Sequence, residues 1–168
     1  AMKWLHKKRI FGAGMLSEKP VRHLIEETAS YLSKGIERGI MEEQPSEAMV
    51  SSLRESAGVF SGFKTFHEMK EAAGLLLDEN GGLKPFEQFS NDVQKINDAY
   101  NKHYLKTEYN FAVQSAQMAA KWEEQQDDGE GRYLLQYRTA GDKKVRPAHR
   151  EMEGITLPAS DPFWDKYY

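Results

Sequence analysis

Cysteine is absent from the 168 residues, which excludes a disulfide framework and thiolate chemistry. Any metal site would have to be built from histidines and carboxylates. Long apolar runs are missing too. None approaches the ~20 residues that span a bilayer, and no secretory hydrophobic segment follows Met2. Neither sign of charge dominates: 23 Lys and Arg against 26 Asp and Glu leave a net charge of −3. Binding of a polyanion by the whole surface is therefore not expected, and only a local basic patch would serve. There is no Walker-type or dinucleotide-type glycine loop, no G-x-S-x-G elbow and no H-E-x-x-H pair. Internal repeats and low-complexity segments are also lacking.

What is present is a chain long enough to bury a core as one domain. Residues 1–19, with "KWLHKKR" near the start, read as a flexible basic arm. Helix signals then run from Pro20 to about Gln126. Val21, Leu24, Ile25, Leu32, Ile36 and Ile40 recur at three- and four-residue steps, one stripe on a helix that Pro20 can open. "EEQPSEAM" reads as a break, followed by a shorter helix from Ser46 to near Ser56. Thr65 and Glu68 form a capping-box pattern, which predicts a new helix start there. Asn80-Gly81-Gly82 is expected to end that helix.

Pro85 opens the longest pattern. Phe86, Phe89, Val93, Ile96 and Tyr100 form one seam, and Leu105, Tyr109, Ala112, Ala116 and Ala120 continue it after a phase slip. A kink or helix junction is expected at residues 101–106, and the alanine-rich half predicts close packing on a neighbouring helix. The acidic "EEQQDDGEG" reads as a linker. Alternation over Tyr133–Arg138 predicts a strand, Pro147 a short helix that Gly154 stops, and "ITLP" a second strand able to pair with the first. The fold class is thus α+β, mainly α: a helical region 20–126 and a small antiparallel element with a short helix in 127–168, one domain overall.

Chemistry concentrates in that last segment. Arg146 and His149 share a helical face, with Asp142 before them and Asp161 after. Such a set can pin a loop-rich segment through an Arg–Asp pair and a histidine hydrogen bond. It can equally bind metal or phosphate, or do acid–base work. Asp161-Pro162 favours a turn that drives Phe163 and Trp164 inward as anchors, or else displays them as a docking surface. The lone histidines 6, 23, 67 and 103 read as surface or capping residues.

The stretch "YLLQYRTAGDKKVRPAHREMEGITLPASDPFWDKYY" resembles the core motif of the phage Mu F-like minor head proteins. The matching points are a strand ending Tyr-Arg-Thr with Arg138, then Gly141-Asp142, Arg146, His149, Gly154 and the Asp161, Pro162, Phe163, Trp164 block. The resemblance extends upstream to about Val59, in a form similar to a prophage branch of Bacteroides-type bacteria. It implies a non-enzymatic virion or procapsid protein, assembled in the bacterial cytoplasm and with no membrane role. The implied partners are the portal, scaffold or major capsid protein, and DNA during packaging or delivery. In the family the aromatic block usually continues into a Cys-x-Cys pair. Zinc is thus expected only in a longer chain, where His149 would join those thiolates, and the natural polypeptide is expected to continue past Tyr168. The competing expectation is a phage-borne nuclease-like effector or DNA-binding module using Arg146, His149 and Asp161.

Overall fold

The computed structural model describes residues 1–41, 45–127 and 133–167. Parts of the expected break after Met41 and of the acidic linker, together with Tyr168, lie outside the described residues. The chain divides into two compact units, Ala1–Ala120 and Lys121–Tyr168. The architecture is mainly α with a small two-stranded antiparallel sheet near the C-terminus, as the sequence predicts. Among the described residues, no helix is long and apolar enough to cross a membrane.

The first unit is helical. Helix α1 (Met2–Lys8) lies within the stretch expected as a flexible arm. Its Leu5 is fully buried with Val21, Met69, Phe89 and Val93. Its His6 ring meets the Lys84 carbonyl through Nε2 at 2.8 Å and packs against Phe86 and Phe89. Helix α2 (Lys19–Gly39) carries Pro20 in its first turn and buries Val21, Leu32 and Ile36.

Helix α3 (Glu47–Gly74) corrects three expectations. Ser46 does cap its start, accepting a hydrogen bond from the Met49 N–H at 3.1 Å. The helix then runs without interruption past Ser56 and through Thr65. Thr65 and Glu68 are therefore not a capping box; both are buried in mid-helix. The helix also ends at Gly74, before Asn80. The chain then turns at Asp78, whose Oδ1 accepts the N–H groups of Asn80 and Gly82, with Gly81 at φ 79° and a bridge from Leu77 to Leu83. A positive φ suits glycine, which has no Cβ to clash.

The long pattern after Pro85 is one helical path in three pieces: α4 (Phe86–Asp98), a π-helical segment (Ala99–Tyr104) and α5 (Leu105–Asp127). The predicted kink is thus a π segment. A π turn closes i→i+5 bonds, so the five-residue step from Tyr100 to Leu105 keeps both halves of the apolar stripe on one face. Its polar groups are met from α3. The Lys64 ammonium donates to the Tyr100 carbonyl at 2.7 Å and pairs with Glu108. Asn101 donates to Glu68 at 3.2 Å, and the Tyr100 hydroxyl donates to Glu71 at 2.8 Å. Partial burial and that carboxylate acceptor push the Tyr100 phenol up to about 12.

Helices α2 and α5 approach closely, as the alanine-rich stretch predicts. Leu32 and Ile36 share a cluster with Ala57 and Ala116. A Cβ on Gly39 would sit 2.4 Å from the Val113 carbonyl oxygen and 2.8 Å from the Ala116 Cβ. Gly39→Ala should therefore cost about 1–3 kcal/mol as the helices are forced apart. Urea unfolding measures this, and an unmoved midpoint would contradict the close approach.

Glu68 supplies a second prediction. Burial pushes its carboxyl above the usual 4.5, against the opposing pull of Asn101 and Lys64 and with the help of Glu71. The native group holds its proton to higher pH than the unfolded one. Its contribution to stability is thus complete below the unfolded pKa and is lost as pH rises through the raised native value. Glu68→Gln keeps an oxygen for Asn101 and removes the charge. It should be more stable than the parent near neutral pH, with the difference vanishing below the carboxylate range. A pH-independent difference would refute this account.

Candidate functional site

In the second unit, strand β1 (Leu134–Gln136) pairs antiparallel with β2 (Thr156–Pro158), with Leu135 opposite Leu157. The ladder is extended by the Tyr137 N–H to the Ile155 carbonyl, the Gly154 N–H to the Tyr137 carbonyl, and the Ala159 N–H to the Tyr133 carbonyl. Helix α6 (Pro147–Glu151) starts at its proline, and Gly154 at φ 83° turns the chain into β2. Helix α7 (Phe163–Tyr167) follows Pro162.

The sequence-selected residues fall into three groups. Asp142 and Asp161 build turns: Asp142 Oδ1 accepts the Lys144 N–H and Asp161 Oδ1 the Phe163 N–H, each at 2.8 Å. Such Asx turns spend a carboxylate on the local backbone. Phe163 and Trp164 are anchors. Trp164 is 4% exposed and donates its indole N–H to the Pro158 carbonyl at 2.8 Å. Phe163 packs edge-on against both Trp164 and Tyr137. The third group surrounds His149, whose Nδ1 lies 2.5 Å from the Tyr137 hydroxyl.

The expected Arg–Asp pair is not formed. Among the described residues, Arg138 Nε instead pairs with Glu153 Oε1 at 3.0 Å. The other Glu153 oxygen accepts both the Thr139 N–H and its hydroxyl at 2.6 Å. These Thr139 bonds, helped by Arg138, hold the Glu153 carboxyl below its ordinary range. Arg146 instead faces an open cleft of about 260 Å³ with Tyr137, Thr139, Ala140, Val145 and His149. Asp161 does not line it. Among the described residues no group of three or more histidines and carboxylates is placed to hold a metal ion.

Sequence reasoning missed Tyr137 and Glu153. In the sequence Tyr137 reads only as a strand residue, although its place one residue beyond β1 puts its hydroxyl within reach of α6. It also missed two features of the first unit: the buried Lys64–Glu68 band described above, and an apolar groove of about 520 Å³. Leu32, Ile36, Leu53 and Ala112 line the groove, with Phe60 and Phe111 at its edge. Phe63 and Val59, nearby on α3, are also exposed.

The family model described as Phage Mu protein F like protein matches residues 80–168. The chain belongs to that family. The match takes in α4, the π segment, α5 and all of the second unit, so the Tyr137–His149 and Arg138–Glu153 pairs lie inside it. No curated protein and no solved structure matches the chain. Membership makes this a phage head morphogenesis protein, a component of the virion or procapsid that meets other capsid components.

The anchor role of Trp164 is open to measurement. Trp164→Ala removes a buried ring and the second of two donors to the Pro158 carbonyl, which keeps only the Asp161 N–H, and should cost about 3–5 kcal/mol. Backbone amide exchange in β1 and β2 should speed up accordingly. Unaltered protection of those amides would rule the anchor out.

Proposed function

We propose that the chain is a minor head protein, a non-enzymatic assembly component sited near the portal or inside the procapsid, where it aids packaging or delivery of DNA. The prophage branch of Bacteroides-type bacteria is the source this reading favours. The family match carries it, and the use made of the reactive side chains supports it. Asp142, Asp161 and Glu153 are spent on backbone N–H groups or an internal ion pair, and His149 on a tyrosine hydroxyl. The nuclease-like alternative needs Arg146, His149 and Asp161 together, and Asp161 is committed elsewhere.

A protein that works by contact needs a surface to be covered. Phe60 and Phe111 leave large parts of their rings in water, Phe111 as much as 70%, around a groove that is almost wholly apolar. Exposed aromatics in such a setting mark interaction sites. The portal, scaffold and major capsid proteins are the partners this reading names.

The test is co-expression with phage capsid and portal genes, followed by sedimentation of procapsids. The chain should travel with the particles. Phe111→Glu should leave its melting midpoint within about 0.5 kcal/mol of the parent, as surface changes do, and abolish co-sedimentation. A chain that stays in the supernatant would overturn the assembly reading. DNA cleavage lost in His149→Ala would favour the nuclease alternative.

A further inference from the structure

We propose that the cleft beside α6 is a phosphate-binding site, with Arg146 as the charge-bearing group and His149 as an oriented donor. The proposal stands on the cleft's own residues and does not depend on the assembly role.

Charge comes first. Residues 142–150 hold Lys143, Lys144, Arg146 and Arg150 against Asp142 alone, a local +3 in a chain of net −3. The neighbouring acids are partly spent. Asp142 binds the Lys144 backbone N–H, Glu153 binds Arg138 and Thr139, and Glu151 is exposed at the end of α6. Among the described residues, Lys143, Lys144 and Arg146 form no ion pair. Arg150 is turned to the Val145 carbonyl at 3.3 Å. Arg146 is thus a cation in a concavity with its planar fork uncommitted, and that fork matches phosphate oxygens in pairs.

Orientation comes second. Pro147 disfavours the helical region for the residue before it, and Arg146 is extended at φ −62°, ψ 144°. Its backbone direction is therefore fixed. When the Tyr137 hydroxyl donates to His149 Nδ1, the neutral ring carries its proton on Nε2 and becomes a donor there. Tyr137 is itself held by the backbone bonds to Ile155 and Gly154 and by the Phe163 ring.

Size comes third. About 260 Å³ falls below the ~300–1,000 Å³ of drug-sized ligand pockets and suits a single phosphate group. That group can belong to a nucleic-acid backbone or to free inorganic phosphate.

The experiment titrates the full chain with two probes: inorganic phosphate, followed by calorimetry, and a fluorescein-labelled DNA duplex of random sequence, followed by anisotropy. Duplex binding without phosphate binding assigns the polymer backbone as the source. Phosphate binding alone assigns the free anion, and competition between the two assigns a shared site; each supports the proposal if it depends on Arg146. Arg146→Gln should weaken the bound probe about tenfold to a hundredfold, the worth of a charge-assisted hydrogen bond. It should leave the melting midpoint unmoved, because Arg146 has no internal partner to lose. For the duplex, the salt slope should also fall by about one. Tyr137→Phe should weaken binding by less, through the loss of the fixed tautomer. Lys3→Gln, on α1, should change nothing. The proposal fails if neither probe binds or if Arg146→Gln binds as tightly as the parent.

Discussion

A lysine only 6% exposed, its ammonium held between a main-chain carbonyl and a carboxylate, organises the first unit. Burying Lys64 costs several kcal/mol of desolvation, which good geometry and a full set of hydrogen bonds must offset. Here the offset comes from Tyr100 and Glu108, one inside the π segment and one in the first turns after it. The widened turn disturbs the regular i→i+4 ladder, and Lys64 meets a carbonyl there. Glu68 and Glu71, one and two turns further along α3, take up Asn101 and the Tyr100 hydroxyl. One helix thus reads the irregularity of the other. The register between α3 and the path from α4 to α5 is fixed by polar contacts as well as by apolar packing.

The second unit solves a different problem with few regular elements. Its sheet pairs three residues a side, far too little to hold a fold by backbone pairing alone. Side chains complete it. Trp164 closes on the Pro158 carbonyl, Glu153 joins the end of β1 to the chain before β2, and Tyr137 joins that same end to α6. These bonds end on the strands or on the short stretches that flank them, so the reactive-looking residues of the motif are mostly structural ties. Arg146 is the exception, and for that reason it is the group with something left to bind.

Much of the second unit was legible because its signals are local. The alternation through Leu135, the start at Pro147 and the stop at Gly154 each need only a few residues. The inward turn of Trp164 follows from Asp161-Pro162 and the size of the ring. Partner choice was not legible. Arg138 finds Glu153 and not an aspartate, and Tyr137 finds His149 twelve residues on, because the β1–β2 pairing brings these groups together. In the first unit, Thr65 and Glu68 at capping-box spacing mimic a helix start. The same spacing puts them on one buried face of a longer helix, where Glu68 serves the π segment. The basic residues of α1 likewise mask the apolar side that carries Leu5 into the core. The phase slip after Tyr100 was visible, but only the structure distinguishes a π turn from a break.

That π turn has a consequence for how the chain tolerates changes of length. The path from Phe86 to Asp127 is an ordinary amphipathic helix into which one surplus residue has been accommodated. Deleting a single residue between Tyr100 and Leu105 would return the spacing to four and leave the stripes before and after it aligned. Adding one would rotate everything from Leu105 onward by about 100°, at 3.6 residues per turn, and carry Ala116 off the face that Gly39 requires. Length variation here is therefore asymmetric: shortening keeps the apolar stripe but closes the widened turn that offers Lys64 its carbonyl, whereas lengthening loses the stripe itself.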